Sequence, residues 1–174
     1  MKQDEFVILV DQEDKVLGEM EKHLAHHLNK KHRAFSVFLL DDNNKLILQQ
    51  RADSKYHSPG LWTNACCGHP RPHETTKEAA IRRTYEELGI HVDIDELFQI
   101  SYEEQLENNL WENEFDHIFL GKYSTNILNP NPEEIKAVDH VDIQELEKKI
   151  EQNPEKFTFW FKLIFPKLKD YLKI

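Results

Sequence analysis

The chain has 174 residues, 39% hydrophobic and 31% charged, which fits one globular domain with a real apolar core rather than a fibrous or disordered chain. A formal net charge of −10 argues against general nucleic-acid binding, which wants a basic face, but leaves room for a small anionic substrate in a local cationic pocket. The acids Asp4 and Glu5 and the short apolar run Phe6–Val10 are unlike a secretion signal or a membrane span, and the adjacent pair Cys66 and Cys67 is unlike a disulfide framework, so the protein is expected to be cytoplasmic.

Residues 6–10 and 15–20, split by Asp11-Gln12-Glu13-Asp14, predict a strand, a turn and a strand. Residues 24–31 are polar and His-rich without a clean apolar stripe, and read as a loop or a short helix. Residues 34–40 and 45–50 are β-rich runs around Asp41-Asp42-Asn43-Asn44, a hairpin signal. Residues 51–72 hold Pro59-Gly60, Gly68, Pro70 and Pro72 and read as a long structured loop, the kind of segment that carries function. A helix is predicted over residues 76–88, with a Thr75/Glu78 capping box, an apolar stripe of Ile81, Tyr85 and Leu88, and Gly89 as its terminator. Residues 91–100 and 114–123 read as strands, 129–132 as a turn, and 141–152 and 154–172 as helices. Strands with helices packed on them predict an α/β (α+β) sandwich. One domain covers residues 1–174, with a core over about 32–150, an N-terminal strand extension over 1–31 and a C-terminal helical segment over 151–174.

The densest pattern spans residues 68–90. Glu74, Glu78, Arg82 and Glu86 are four apart and are expected on one helix face, with Glu87 one step round. Carboxylates gathered at a helix end suit hard cations such as Mg²⁺. The pattern resembles the Nudix box, GX5EX7REUXEEXGU with U a bulky aliphatic: Gly68, Glu74, Arg82, Glu86, Glu87, Gly89 and Ile90 match, while Arg83 stands where the box has Glu and Thr84 where it has an aliphatic. In Nudix hydrolases that Glu helps build the water-activating metal cluster, so Arg83 weakens a hydrolase reading and leaves the Nudix fold as the expectation, a mixed sheet packed between helices.

Histidines and carboxylates form a second constellation. His26 and His32 precede the strand at Ala34, His69 follows Cys67, and Glu112 and Glu114 share a face if a strand begins there. Such groups suit Mg²⁺, Mn²⁺ or Zn²⁺. Spacing alone does not select them from ten histidines; His23, His27, His57, His73, His91, His117 and His140 read as scattered surface residues. The stretches 21–26, 32–36, 51–55, 62–70, 82–90 and Glu112-Asn113-Glu114 resemble the type 1 isopentenyl-diphosphate isomerases, Nudix-fold enzymes of isoprenoid synthesis. The run Trp62-Thr63-Asn64-Ala65-Cys66-Cys67-Gly68-His69-Pro70 is the most specific of these.

The resemblance implies isomerisation of isopentenyl diphosphate to dimethylallyl diphosphate through a tertiary carbocation-like intermediate, with Cys67 and Glu114 as the acid–base pair and Tyr102 as a proton relay to Glu114. It implies one tightly held divalent metal (Mn²⁺, Mg²⁺ or Zn²⁺) on His26, His32, His69, Glu112 and Glu114, with His27 the substitute for His26, and a Mg²⁺ on the substrate diphosphate held by Glu87. Lys22, Arg51, Lys55 and Arg83 are the candidate diphosphate cations and Trp160 a candidate aromatic face for the carbocation. Arg83 would add positive charge where the diphosphate sits. Cys66 reads as a small packing residue. A pyrophosphohydrolase acting on a nucleoside diphosphate derivative is the competing reading. The expected partner is a small-molecule diphosphate, with no nucleic acid and no membrane, bound by a monomer.

Overall fold

A computed structural model describes residues 5–124 and 127–174, so most of the N-terminal acidic run lies outside the described residues. Strand β3 (His32–Leu40) is the centre, because its run of apolar residues is buried along almost its whole length. One edge of β3 is shared out: β1 (Phe6–Val10) meets its start, β6 (Cys66–Gly68) its middle and β4 (Leu46–Arg51) its end, all antiparallel. The other edge carries β8 (Trp111–Lys122) in parallel, from His32↔Glu114 to Leu40↔Lys122. Around these, β2 (Val16–Glu21) pairs β1, β7 (Ile94–Gln105) pairs β8, and β5 (Trp62–Thr63) and β9 (Ile135–Val141) pair β4. The sheet is therefore mixed, as expected.

Helices cover both faces. Helix α2 (Thr76–Leu88) lies over Phe35, Val37, Cys66 and Phe119, burying Ala79, Ala80 and Leu88. Helix α4 (Phe159–Leu172) puts Trp160, Phe161, Ile164, Phe165 and Leu168 over Phe38, Leu48 and Ile118 on the opposite face, with Leu146 of α3 (Ile143–Gln152) beside them. The capping box is real: the Thr75 N–H donates to Glu78 Oε2 at 2.9 Å and the Glu78 N–H to Thr75 Oγ1 at 3.2 Å. Gly89 ends α2 with φ 72°, and its N–H donates to the Tyr85 carbonyl at 2.8 Å. Short α1 (Lys22–His27) starts where the Glu21 carboxylate accepts the N–H groups of His23 and Leu24 at 2.9 and 2.8 Å. No helix among the described residues is long and apolar enough to cross a membrane.

Several boundaries differ from the sequence reading. The loop over residues 51–72 contains β5 and β6, which are too short to show a period. Strand β9 was not expected; it alternates weakly, burying Ile135 and Val141 while exposing Lys136, Asp139 and His140. The helix expected from 141 begins at Ile143, capped by Asp142, because Val141 still belongs to β9. The helix expected from 154 begins at Phe159 after a separate turn at Pro154–Lys156. Glu74 precedes α2 and so does not share its face, although its carboxylate still receives Arg82 Nε and Nη2 at 2.7 and 2.9 Å. Strand β8 starts at Trp111, which brings Glu112 into the strand.

Gly68 faces Phe35 across β3 and β6, and a Cβ there would meet Phe35 Cζ at 2.8 Å. Gly68→Ala is expected to destabilise by about 1–3 kcal/mol through overpacking, read as a lower Tm, and Phe35→Leu in the same chain should recover part of the loss. A Gly68→Ala variant with an unchanged Tm would show that the ring gives way freely.

Candidate active site

Residues paired across a sheet point to the same face, and residues two apart along a strand do too. The pairs His32↔Glu114, Ala34↔Asp116, Ser36↔Cys67 and Tyr102↔Glu114 therefore put His32, Ser36, Cys67, Tyr102, Glu112, Glu114 and Asp116 on one face, the face that α4 covers. Cys67 hangs from β6 on one edge of β3 and Glu114 from β8 on the other. Both line one cavity, whose wall also carries His69, Glu112, Tyr102 and Trp160. Cys66 takes the other face and is fully buried in the core under α2, as a packing residue.

His26, His32, His69 and Glu114 bring their ligand atoms within 4.8 Å of one another, a group able to hold a metal ion. His26 Nδ1 donates to the Trp111 carbonyl at 2.8 Å and His32 Nδ1 to the Lys30 carbonyl at 2.8 Å. Each Nε2 is left buried with no hydrogen-bond partner among the described residues. An outer hydrogen bond on one ring nitrogen and a free lone pair on the other is how metal-binding imidazoles are oriented, so the donors present fit a divalent ion. Burial, with the neighbouring imidazoles, pushes His26 down to about 3, and burial pushes His69 down to about 4, which keeps both neutral as ligands require. His27 is exposed, one helical step away from the group that His26 joins.

Three carboxyls follow one another along the buried face of β8, and they share little charge. Burial raises all three, but at Glu114 the imidazoles of His32 and His69, 3.5 and 2.9 Å from Oε1, outweigh it and hold the carboxyl well below the usual carboxylate range. Glu112 and Asp116 are pushed up by burial and by the Glu114 charge. Glu114 accepts the Tyr102 hydroxyl at 2.6 Å and lies 2.9 Å from His69 Nε2. Glu112 stands outside the four-residue group; its Oε1 lies 3.4 Å from His57 Nε2.

The Cys67 thiol donates to Asn64 Oδ1 at 3.1 Å and receives the Trp160 indole N–H at 3.2 Å. Burial and the nearby Asp116 push it up to about 12, so the thiol form dominates. A buried chain of polar groups joins it to the carboxylates: Ser36 Oγ lies 3.9 Å from Cys67 Sγ and donates to Asp116 Oδ2 at 2.8 Å, and Tyr102 spans from Asp116 to Glu114.

Lys22, Arg51, Lys55 and Arg83 all line the same cavity. Each is already held. Lys22 pairs with Glu5 at 3.0 Å, Lys55 pairs with Glu134, and Arg51 donates to the carbonyls of Ser58 and His57 at 3.2 and 3.1 Å with its guanidinium 5.4 Å over the Trp160 ring. Arg83 spreads over Glu86, Glu87 and Glu134 at 2.7, 2.5 and 3.3 Å, so its charge is shared among carboxylates rather than spare. Glu87 is buried and also accepts Gln49 Nε2 at 2.8 Å.

The sequence reading missed Asp116, Ser36, Asn64 and His57. Asp116 left a signal as the third acid at spacing two after Glu112, and Ser36 and Asn64 lay inside runs singled out without a role of their own. Two histidines read as surface scatter are not so. His57 is buried against Trp160, and burial with the Arg51 guanidinium pushes it down to about 2. His117 is buried and bridges Asp14 and Glu96 at 3.0 and 2.9 Å; His140 stays exposed, paired with Asp41 at 2.8 Å.

The family model for the NUDIX domain matches residues 30–161. A protein of Pectobacterium atrosepticum named isopentenyl-diphosphate Delta-isomerase is 42% identical over 165 residues, covering 95% of this chain and 92% of that one. One of the same name from Serratia proteamaculans is 45% identical over 165 residues with the same coverage, 95% and 92%. Among solved structures, DR0079 from Deinococcus radiodurans superimposes with a TM-score of 0.71 at 20% identity, covering 85% of this chain and 90% of that one, a likeness of fold. The MutT protein from Methanosarcina mazei Go1 gives 0.68 at 19% identity, covering 83% and 96%. The chain thus carries a NUDIX domain and belongs to the isopentenyl-diphosphate Delta-isomerase family.

Proposed function

We propose that this chain converts isopentenyl diphosphate to dimethylallyl diphosphate, with Cys67 and Glu114 as the two proton-handling groups. The reading rests on one observation above all: Cys67 and Glu114 stand on one buried face, on opposite edges of β3, beside a common cavity, with the thiol pushed towards its protonated form and the carboxyl towards its ionised form. The reaction adds a proton at one carbon and removes another two carbons away, which asks for an acid and a base flanking the substrate. Here one group holds a proton to give and the other a lone pair to take one; after a turnover they have exchanged roles. Tyr102 steadies Glu114 through its 2.6 Å hydrogen bond and lies on the path for its proton. Trp160 and Asn64 hold the sulfur, and the apolar wall under α4 excludes water from a carbocation.

His26, His32, His69 and Glu114 would hold the tight metal, with Glu112 joining them. Mn²⁺, Mg²⁺ and Zn²⁺ all suit imidazole and carboxylate donors. When bound, such an ion would fix Glu114 and lower its proton affinity. Glu87 would serve a Mg²⁺ on the diphosphate, and Lys22, Arg51, Lys55 and Arg83 would hold the phosphate oxygens. A cavity that gathers four cations beside the His/Glu group suits a small diphosphate; a monomer in the cytoplasm, with no nucleic-acid or membrane partner, remains the reading proposed from the sequence. Arg83 disfavours the pyrophosphohydrolase reading, since it stands in place of a hydrolase carboxylate and pairs with Glu87.

Cys67→Ala is expected to lower dimethylallyl diphosphate formation by at least about 10²–10⁴-fold, followed by product analysis with Mg²⁺ and reduced thiols. Near-normal turnover would sink the mechanism, and phosphate release from the native protein would favour hydrolysis. Saturating Mn²⁺ at 100 times its Kd should add about 2.7 kcal/mol to unfolding stability, and a chelator should remove it; a Tm indifferent to both would leave the His/Glu group without an ion. The thiol form also predicts slow alkylation. With its pKa pushed up to about 12 from 9.0, Cys67 should react with iodoacetamide at pH 8 about 10³-fold more slowly than an ordinary thiol, checked by peptide mapping. Alkylation at a free-thiol rate would mean that burial does not hold the sulfur in its thiol form beyond the ordinary range.

A further inference from the structure

Glu112 needs something to aim it, because the four converging ligand groups do not include it. The polar group standing at its Oε1 is His57, whose Nε2 lies 3.4 Å away, with side-chain exposures of 11% for His57 and 3% for Glu112. His57 comes from the turn after β4, a segment that carries none of the other metal-site residues. That turn is pinned from beneath. Arg51 donates to the carbonyls of His57 and Ser58, and the His57 ring packs edge-on against Tyr56 at 4.6 Å and Trp160 at 5.8 Å, with His26 5.9 Å away. Its Nδ1 is buried with no hydrogen-bond partner among the described residues. A packing residue at this place would bring no such nitrogen into the wall of a cavity, since burying an unpaired polar atom costs free energy.

We propose that His57 is a positioning residue of the metal site, its Nε2–H holding one oxygen of Glu112 so that the other faces the group formed by His26, His32, His69 and Glu114. Outer partners of this kind fix the orientation of a ligating carboxylate before the ion arrives, and their loss weakens metal binding without removing a ligand. The 3.4 Å separation is long for a hydrogen bond, so the link proposed is one that the ion-loaded site makes. The inference rests on the reading of the His/Glu group as a metal site.

The test is Mn²⁺ titration of the chelator-stripped full chain by calorimetry. His57→Gln carries an amide N–H to about the reach of Nε2; His57→Asn is one methylene too short. His57→Asn is expected to weaken Mn²⁺ binding about 10–100-fold while His57→Gln keeps the native affinity. On a Glu112→Gln background His57→Asn should add no further loss, because both changes cut the same link. Equal affinities for the two amides, whether both native or both weakened, would overturn the proposal, as would losses that add across His57 and Glu112. If the unmodified protein binds no Mn²⁺, the metal reading falls and the role of His57 with it. Native binding that His57→Asn leaves untouched would remove His57 alone.

Discussion

A β-strand has two edges and two faces, and β3 uses all four. Its edges are filled by β1, β6 and β4 on one side and β8 on the other, so its register with each is fixed by backbone hydrogen bonds. Its faces alternate strictly: Phe35, Val37 and Leu39 lie under α2, while His32, Ser36 and Phe38 lie under α4. A slip of one residue would send every one of these to the wrong side. The Phe residues at 35 and 38 make that slip expensive, and the same alternation delivers His32 to Glu114 and Ser36 to Cys67. Core packing and site assembly are thus one constraint. The polar side chains sit towards the start of β3 on an otherwise apolar face, beside the cavity that Glu5, Lys22 and Trp160 also line.

The charge arrangement follows from how much burial an ion tolerates. A chain at −10 overall would be expected to repel a diphosphate, yet its cavity gathers Lys22, Arg51, Lys55 and Arg83. All four lean on carboxylates or carbonyls, with Glu134 shared between Lys55 and Arg83. Such pairs keep the long side chains in place at modest net energy in the absence of substrate. Deeper in, the site keeps one carboxylate charged, Glu114, and surrounds it with imidazoles that burial holds neutral. A single buried anion facing unpaired ring nitrogens is a poor arrangement by itself and a good one around a cation.

How much of this was legible beforehand depended on whether a residue belonged to a period or a motif. Cys67, His69 and Glu114 lay in dense runs, and spacing of two along a strand was enough to group Glu112 with Glu114. His26 and His27 were separable only once α1 had a phase, and that phase depends on the Glu21 cap. Asp116 looked like an ordinary strand acid, because burial of one face of β8 is a property of what packs on it. His57 belongs to a turn whose course is set by Arg51 and by Ser58, with φ 47°, and no periodicity marks where such a turn dips inward. Arg83 showed its position but not its partners: that Glu134 would come to meet it depends on the β4–β9 pairing, a contact between distant segments that had no pattern to betray it.

The two cysteines illustrate how far chain neighbours can be from being spatial ones. On extended β6 their side chains point to opposite faces, Cys66 into the packing under α2 and Cys67 into the cavity. A disulfide needs Cβ atoms that approach each other, so joining these two would pull one residue through the sheet. Under oxidative stress Cys67 therefore has no resolving thiol at hand, and its first oxidised form, a sulfenic acid, would have to be rescued by a small thiol that fits the cavity or proceed further to irreversible damage. The same burial that keeps the sulfur protonated slows that first step, since the thiolate is the oxidisable form.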